Sequence, residues 1–377
     1  MNNILFLLSL IIVISSCQKE SHSIGDDYSL SELIQPIPYK NTLKDSSWNI
    51  WCGSMVKGYD GKYHLYYSRW PRQCGHEGWI SHSEIAYATA NNPEGPYHFV
   101  NVALPSRGKQ FWDGAMTHNP YIIRKNNKYY LYYIGTKGNI LSPDQKVDNK
   151  EWWARRNTQR IGVAVADHPQ GPWKRLDDPI LSVSNDSTAF DALCVNNPAV
   201  CIGRNDKIVM LYKAVCKNGT IEGGNVRFSV AFSDNPTGPF TKTQQLIFQP
   251  KNNTDRMVAE DPFIWFDKKR NKYYAIVRDV VGQFTGEDSG GLALLQSNDA
   301  IHWSKVKKPK VLPAILQWED GTSYNAKKDH VERPFLFFDE KGNPALLFGA
   351  FSVHNNGVFR EHSFNGFIPL SGNKKYY

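Results

Sequence analysis

A chain of 377 residues with 44 Lys and Arg against 36 Asp and Glu carries a formal charge of +8. The basic residues are scattered among acidic ones, with no basic stripe and no DNA- or RNA-binding motif, so nucleic acid is excluded as a partner. Aromatic residues make up 13%, including 11 Trp and 19 Tyr; rings with an apolar face and a polar tip suit packed sheets, and suit ligands such as sugars.

The chain opens with an apolar run, residues 4–14, too short to span a bilayer and of the length of a signal-peptide core. It ends in Ile14-Ser15-Ser16-Cys17, which resembles the lipobox of bacterial lipoproteins, although no Lys or Arg precedes the run. The resemblance implies cleavage before Cys17, lipid on Cys17 and an extracytoplasmic, membrane-anchored protein of the periplasm or cell surface. The expected division is a signal peptide over 1–16, a lipidated tether over 17–40 and a folded domain over 41–377. An ordinary secretory signal is the competing reading. Five cysteines remain, Cys52, Cys74, Cys194, Cys201 and Cys216. The odd number leaves at least one free thiol, and none stands at zinc-site spacing.

From Trp48 onward, short β-branched and aromatic runs alternate with Gly, Pro, Asn and Asp, which predicts strands throughout. The runs repeat. The first unit holds Trp51-Cys52-Gly53-Ser54, a strand over 60–69 and a close on Gly95-Pro96-Tyr97. The second holds Trp112 and Asp113, His118-Asn119-Pro120, the run NNKYYLYYIG and Gly171-Pro172-Trp173. The third has Asn196-Asn197-Pro198 and Gly238-Pro239-Phe240; the fourth has Glu260-Asp261-Pro262; the fifth has Glu332-Arg333-Pro334. The unit prolines Pro120, Pro198, Pro262 and Pro334 are 78, 64 and 72 residues apart, room for three or four strands each. Five such units predict an all-β chain folded as a five-bladed β-propeller.

The blade pattern of Asn/Asp-Pro, Lys-Tyr-Tyr-Leu-Tyr-Tyr, Ile-Ala-x-Ala and Gly-Pro-aromatic resembles the five-bladed glycoside hydrolases of families 43 and 117 and their relatives, including families 32, 68 and 130. The resemblance spans nearly the whole mature chain. It implies a sugar-binding funnel on the propeller axis, lined by the starts of the innermost strands. A structural Ca²⁺ on the axis, common in family 43, is an option that no sequence motif specifies, and no other cofactor is expected.

Overlaying the units on their prolines gives rings of equivalent positions. Two before the proline stand Cys52, His118, Asn196, Glu260 and Glu332; one before stand Gly53, Asn119, Asn197, Asp261 and Arg333, with Ser54 in place of the first proline. Seven before, Asp113, Asp191 and Asp255 recur. A residue needed once for catalysis should break the repeat, so Glu260, Asp261 and Glu332 stand out. Glycoside hydrolysis needs a carboxylic acid to protonate the leaving oxygen and a carboxylate to attack or to activate water. Glu332 and Glu260 are the acid candidates; Asp261 and Asp113 are the base candidates, Asp113 because Trp112 and His118 flank it. The competing structural reading is that Glu260 and Glu332 pair with Arg278 and Arg333. Compared with family 43, the first unit lacks its usual aspartate; family 117 uses a histidine as the proposed acid, which brings in His118 and His330. Trp112, His118, Asn119, Asn197, Arg278 and Arg69 are expected to position the sugar. Arg69, Lys213 and Arg278 interrupt apolar inner runs and would suit an acidic or sulfated sugar, or neutralise the carboxylates.

The expected function is an exported, lipid-anchored glycoside hydrolase cleaving a terminal sugar from an oligo- or polysaccharide, with inversion. Two alternatives are a phosphorylase of the family 130 kind and a non-catalytic glycan-binding lipoprotein.

Overall fold

The computed structural model describes residues 29–286, 290–326, 330–355 and 358–371; the signal segment and Cys17 lie outside the described residues. Five four-stranded antiparallel sheets follow one another along the chain. The first strand, β1 (Thr42–Leu43), is set apart from its neighbours in sequence. Blade 1 is β2 (Trp48–Lys57), β3 (Tyr63–Pro71), β4 (Glu84–Ala90) and β5 (His98–Leu104). Blade 2 is β6 (Met116–Lys125), β7 (Lys128–Thr136), β8 (Arg160–Ala166) and β9 (Lys174–Arg175). Blade 3 is β10 (Cys194–Ile202), β11 (Ile208–Val215), β12 (Val226–Ser233) and β13 (Thr241–Ile247). Blade 4 is β14 (Ala259–Asp267), β15 (Lys272–Asp279), β16 (Gly291–Ser297) and β17 (Trp303–Lys310). After a hairpin of β18 (Ile315–Gln317) and β19 (Ser323–Asn325), blade 5 is β20 (Val331–Phe338), β21 (Pro344–Asn355) and β22 (Val358–Pro369). The five-bladed propeller expected from the repeats is the fold found.

Blade 5 is completed by the start of the chain: β1 pairs with β22, Thr42 opposite Gly366 and Leu43 opposite Asn365. Joining the two ends of the chain in one sheet closes the ring without a covalent link. The segment just before it is also docked. Leu30, Leu33 and Ile37 are buried, and Ile37 N donates to Gln317 O at 2.8 Å. The tether expected over 17–40 is therefore too long, and the folded unit begins before residue 41. The physical reason is the apolar spacing of Leu30, Leu33 and Ile37, which leaves water for the core.

Each innermost strand carries the same irregularity. The register breaks between Trp51 and Ser54, His118 and Tyr121, Asn196 and Ala199, Glu260 and Phe263, and Glu332 and Phe335. At each break the extra residue of a bulge takes a left-handed backbone: Cys52 at φ 47°, Asn119 at 54°, Asn197 at 49°, Asp261 at 51° and Arg333 at 55°. Asn and Asp tolerate that region; Cys and Arg do so at a cost of about 1–3 kcal/mol each. The bulges correct the overlay by one residue in blade 1: Trp51-Cys52-Gly53 matches His118-Asn119-Pro120, so Gly53 and not Ser54 stands in the proline's place. Beyond the bulges, Tyr121 reaches across to Phe263 and Phe335, 6.1 Å from each ring, and Phe263 and Phe335 meet at 4.8 Å. These rings fill the axis beneath the bulges.

Candidate active site

The five bulge residues converge on the axis. Asn119 Nδ2 donates to Asn197 Oδ1 at 2.7 Å, Asn197 Nδ2 to Asp261 Oδ1 at 2.8 Å, and Arg333 Nη1 to the same oxygen at 2.8 Å. Cys52 Sγ lies 3.2 Å from Ser68 Oγ, which also accepts from Asn119 N. Asn119 and Asn197, expected to hold sugar, thus spend these amide groups on an axial belt. Arg333 pairs with Asp261 rather than with either glutamate. Burial, reinforced by the charges of Glu260 and Glu332, pushes the Asp261 carboxyl up despite Arg333.

One residue before the bulges, Glu260 and Glu332 occupy equivalent places on adjacent blades. Register places Arg278 opposite Glu260 on β15 and Lys213 opposite Asn196 on β11. Lys213 Nζ sits 2.7 Å from Glu260 Oε1 and Arg278 Nη1 2.8 Å from its Oε2. The same Nη1 lies 3.1 Å from Glu332 Oε1, which also accepts from Arg360 Nη2 at 2.5 Å. Laid end to end, 2.8 and 3.1 Å cap the separation of the two nearest carboxylate oxygens at about 5.9 Å. Burial opposes the Glu260 charge, but Lys213 and Arg278 outweigh it and hold the carboxyl at about 2. Both its oxygens are engaged by cations; Glu332 is engaged through Oε1.

An aromatic wall adjoins the pair. Arg360 lies 5.1 Å over the Trp51 ring and donates to His76 Nε2 at 2.9 Å. His76 meets Trp51 and Trp70 edge-on. His118 lies between Trp70 and Trp79, 5.8 and 5.1 Å away, and Trp79 meets Trp152 at 5.7 Å. His118 is buried, within 2.8 Å of Ser83 Oγ. Burial, then the charges of Arg333 and His76, pushes its pKa well below the usual value. Its place among these rings favours the neutral imidazole. His330 meets His354 ring to ring at 5.9 Å. Arg360, His76 and Trp79 were missed in the sequence because they sit on β22 and in the short helices between β3 and β4, outside the proline-centred repeat.

Three expected site residues lie elsewhere. Asp113 is fully buried, accepting from Arg107 Nε at 2.6 Å, Tyr133 Oη at 2.7 Å and Arg175 Nη1 at 3.3 Å. A Cβ on Gly135 would lie 2.2 Å from its Cβ, so no sugar reaches it. Asp191 binds Lys242 in the same way, at 2.5 Å. Both aspartates tie the loop entering a blade to that blade's outermost strand, which is why they recur. Trp112 stacks on Tyr133, and a Cβ on Gly162 would lie 2.5 Å from its indole; it covers blade 2 and makes no pair with His118. Arg69 pairs with Glu84 at 2.8 Å and lies over Trp48 and Phe99. Register aligns Ser68, not Arg69, with Lys213 and Arg278, and one step along a strand reverses the face. Asp113→Ala would strand Arg107 and Arg175, and a thermal melt should report a loss of about 3–5 kcal/mol.

The axis does not suit the optional Ca²⁺, which takes six to eight oxygen ligands: the Arg333 guanidinium already occupies the place beside Asp261. Among the described residues no three His, Cys, Asp or Glu side chains converge as a metal centre would require. All five described cysteines are free thiols.

The family model for the glycosyl hydrolases family 32 N-terminal domain matches residues 122–336, more than half of the chain and including Glu260, Asp261 and Glu332. No curated protein matches in sequence. Among solved structures, a family 117 glycoside hydrolase from the marine bacterium Zobellia galactanivorans is 17% identical over 90% of each chain, with a TM-score of 0.59. A thermostable family-43 glycoside hydrolase is 14% identical over 90% of this chain and 93% of that one, TM-score 0.56. A family 43 β-xylosidase/α-arabinofuranosidase from a compost microbial metagenome, in complex with xylotriose, is 15% identical over 91% and 95%, TM-score 0.54. At these identities the likeness is one of fold.

Proposed function

Because the chain belongs to the glycosyl hydrolases of the family 32 N-terminal domain and is a glycoside hydrolase, we propose that it removes a terminal sugar using Glu260 as the attacking carboxylate and Glu332 as the proton donor. The observation that carries this reading is the meeting of both side chains, from equivalent positions of adjacent blades, on one nitrogen of Arg278.

Lys213 and Arg278 keep Glu260 ionised, and a carboxylate has about four lone-pair positions, so two stay free for attack. Glu332 accepts from both guanidinium groups through Oε1, which leaves Oε2 to carry the proton. That proton goes to the leaving oxygen as Glu260 bonds to the anomeric carbon. Glu332 then takes a proton from water, whose oxygen displaces Glu260. The nearest-oxygen ceiling of about 5.9 Å is compatible with the carboxyl separation of about 5–5.5 Å typical of retaining pairs. It supports retention in place of the inversion expected from the sequence. A second reading has support in the raised Asp261 carboxyl: Asp261 in place of Glu332 as donor. Screening defined oligosaccharides with product analysis tests the activity: release of a single terminal sugar is expected, and internal cleavage would contradict the terminal-sugar reading.

Export and a lipid anchor belong to the same proposal, supported by the apolar run over 4–14 and by Cys17. Cys17→Ser should move the protein from the membrane fraction to the soluble extracytoplasmic fraction on cell fractionation.

A further inference from the structure

We infer that the sugar bound here carries an anionic group, a carboxylate or a sulfate ester, received by Arg156 and Arg160 beside the catalytic pair. The inference rests on the proposed site at Glu260 and Glu332 and names its substrate class.

Three arginines are buried among the described residues: Arg155, Arg156 and Arg333. Arg155 pairs with Glu151 at 2.8 Å and Arg333 with Asp261 at 2.8 Å. Arg156 has no carboxylate within ion-pair distance among the described residues. It follows Arg155 in the helix α1 (Asn149–Asn157), and its Nη1 reaches only Asn157 Oδ1 at 3.1 Å and Glu222 O at 3.5 Å. Arg160, at the start of β8, likewise donates to carbonyls alone, Asn157 O at 3.2 Å and Gln159 O at 2.6 Å. Arg256 is tied to the carbonyls of Glu222, Gly223 and Gly224 and lies near enough to depress Arg156 further, after burial.

Carbonyl oxygens satisfy N–H groups but cancel no charge, and a guanidinium stays protonated. Burying one without a counter-charge is costly, so this cluster is poised for an anion, which Arg can bind through two parallel N–H groups.

The cluster is linked to the catalytic pair through Lys213. Arg156, Lys213 and Arg160 all act on the thiol of Cys194. Asn196, the blade 3 counterpart of Glu260, donates to Gln159 Oε1 at 2.5 Å and stands opposite Lys213 in register. Lys213 in turn holds Glu260. An anionic substituent on the bound sugar, or on the next sugar along, would therefore meet Arg156 and Arg160 while the glycosidic bond lies at the carboxylates.

Calorimetric titration of the Glu260→Gln protein tests this, with trigalacturonate, a 6-sulfated galactotriose and neutral galactotriose as probes. At least one anionic probe should bind tenfold or more tightly than the neutral one, and which of the two does so separates carboxylate from sulfate. The preference should fall with added salt. It should fall tenfold or more in a second-site Arg156→Gln or Arg160→Gln variant, with Arg156→Lys retaining part of it; what remains belongs to Lys213 and Arg278, left without the Glu260 charge. Arg160 is less buried, so its variant guards against misfolding at Arg156. Equal binding of all three probes, no binding by any of them, or a preference undiminished in both Gln variants would overturn the inference. Sugar release by Glu260→Gln during the titration would instead count against the catalytic assignment, independently of the anion preference.

Discussion

Glu260→Gln should lower kcat by about four orders of magnitude on every substrate, equivalent to roughly 5.4 kcal/mol of barrier. The amide has nearly the carboxylate's shape but cannot attack the anomeric carbon. It also leaves Lys213 and Arg278 facing a neutral group, so a melting curve must accompany the assay to separate lost chemistry from lost fold. Added azide should restore turnover, because a small anion can enter the space of the missing charge and attack in its place. The azide adduct would have the configuration opposite to that of the normal product. A Glu260→Gln protein with near-normal turnover would remove Glu260 from the reaction.

The Glu332→Gln variant should behave differently. Loss of a general acid costs about 10²–10⁴-fold when the leaving group is a sugar hydroxyl. It should cost little when the leaving group is an acidic phenol that departs without a proton. The comparison is kcat/KM, which reports the first step, for an aryl glycoside against an oligosaccharide of the same terminal sugar; kcat falls on both, because Glu332 also takes the proton from water in the second step. If Asp261→Asn shows this split and Glu332→Gln does not, the proton comes from Asp261. The buried position of Asp261 and its pull toward the protonated form make that outcome specific rather than vague.

Much of the fold was legible because strand periodicity and the recurring proline report local backbone, which each blade needs for itself. The same repetition concealed the site. Asp113 drew attention beside Trp112 and His118, yet its recurrence in Asp191 reflects an anchor made in blades 2 and 3, to Arg175 in one and Lys242 in the next. Glu260 and Glu332 stood out because they break the repeat. Their partners were only partly found, since a cation's face depends on strand register: Lys213 and Arg278 point to the carboxylates, whereas Arg69 is one residue out of phase. Blade 1 has no proline to fix the overlay, and Cys52 was set one place early. Only the left-handed backbone it shares with Asn119, Asn197, Asp261 and Arg333 shows its true position. Arg360 arrives from the last strand of the chain, far from any repeat signal, and carries a left-handed backbone of its own at φ 51°.

The strain at Cys52, Arg333 and Arg360 falls within one site. Residues with side chains poorly suited to this backbone persist where the surrounding structure holds them. Here they surround Asp261 and Glu332, which the axial belt and the Arg278 bridge fix in place.

The most direct test of the account is the configuration of the first-formed sugar, followed by proton NMR during hydrolysis of an aryl glycoside by the wild-type protein, before mutarotation. A retained anomeric configuration is the predicted result, from Glu260 and Glu332 held no more than about 5.9 Å apart at their nearest oxygens. An inverted first product would contradict the assignment of these two carboxylates as the working pair.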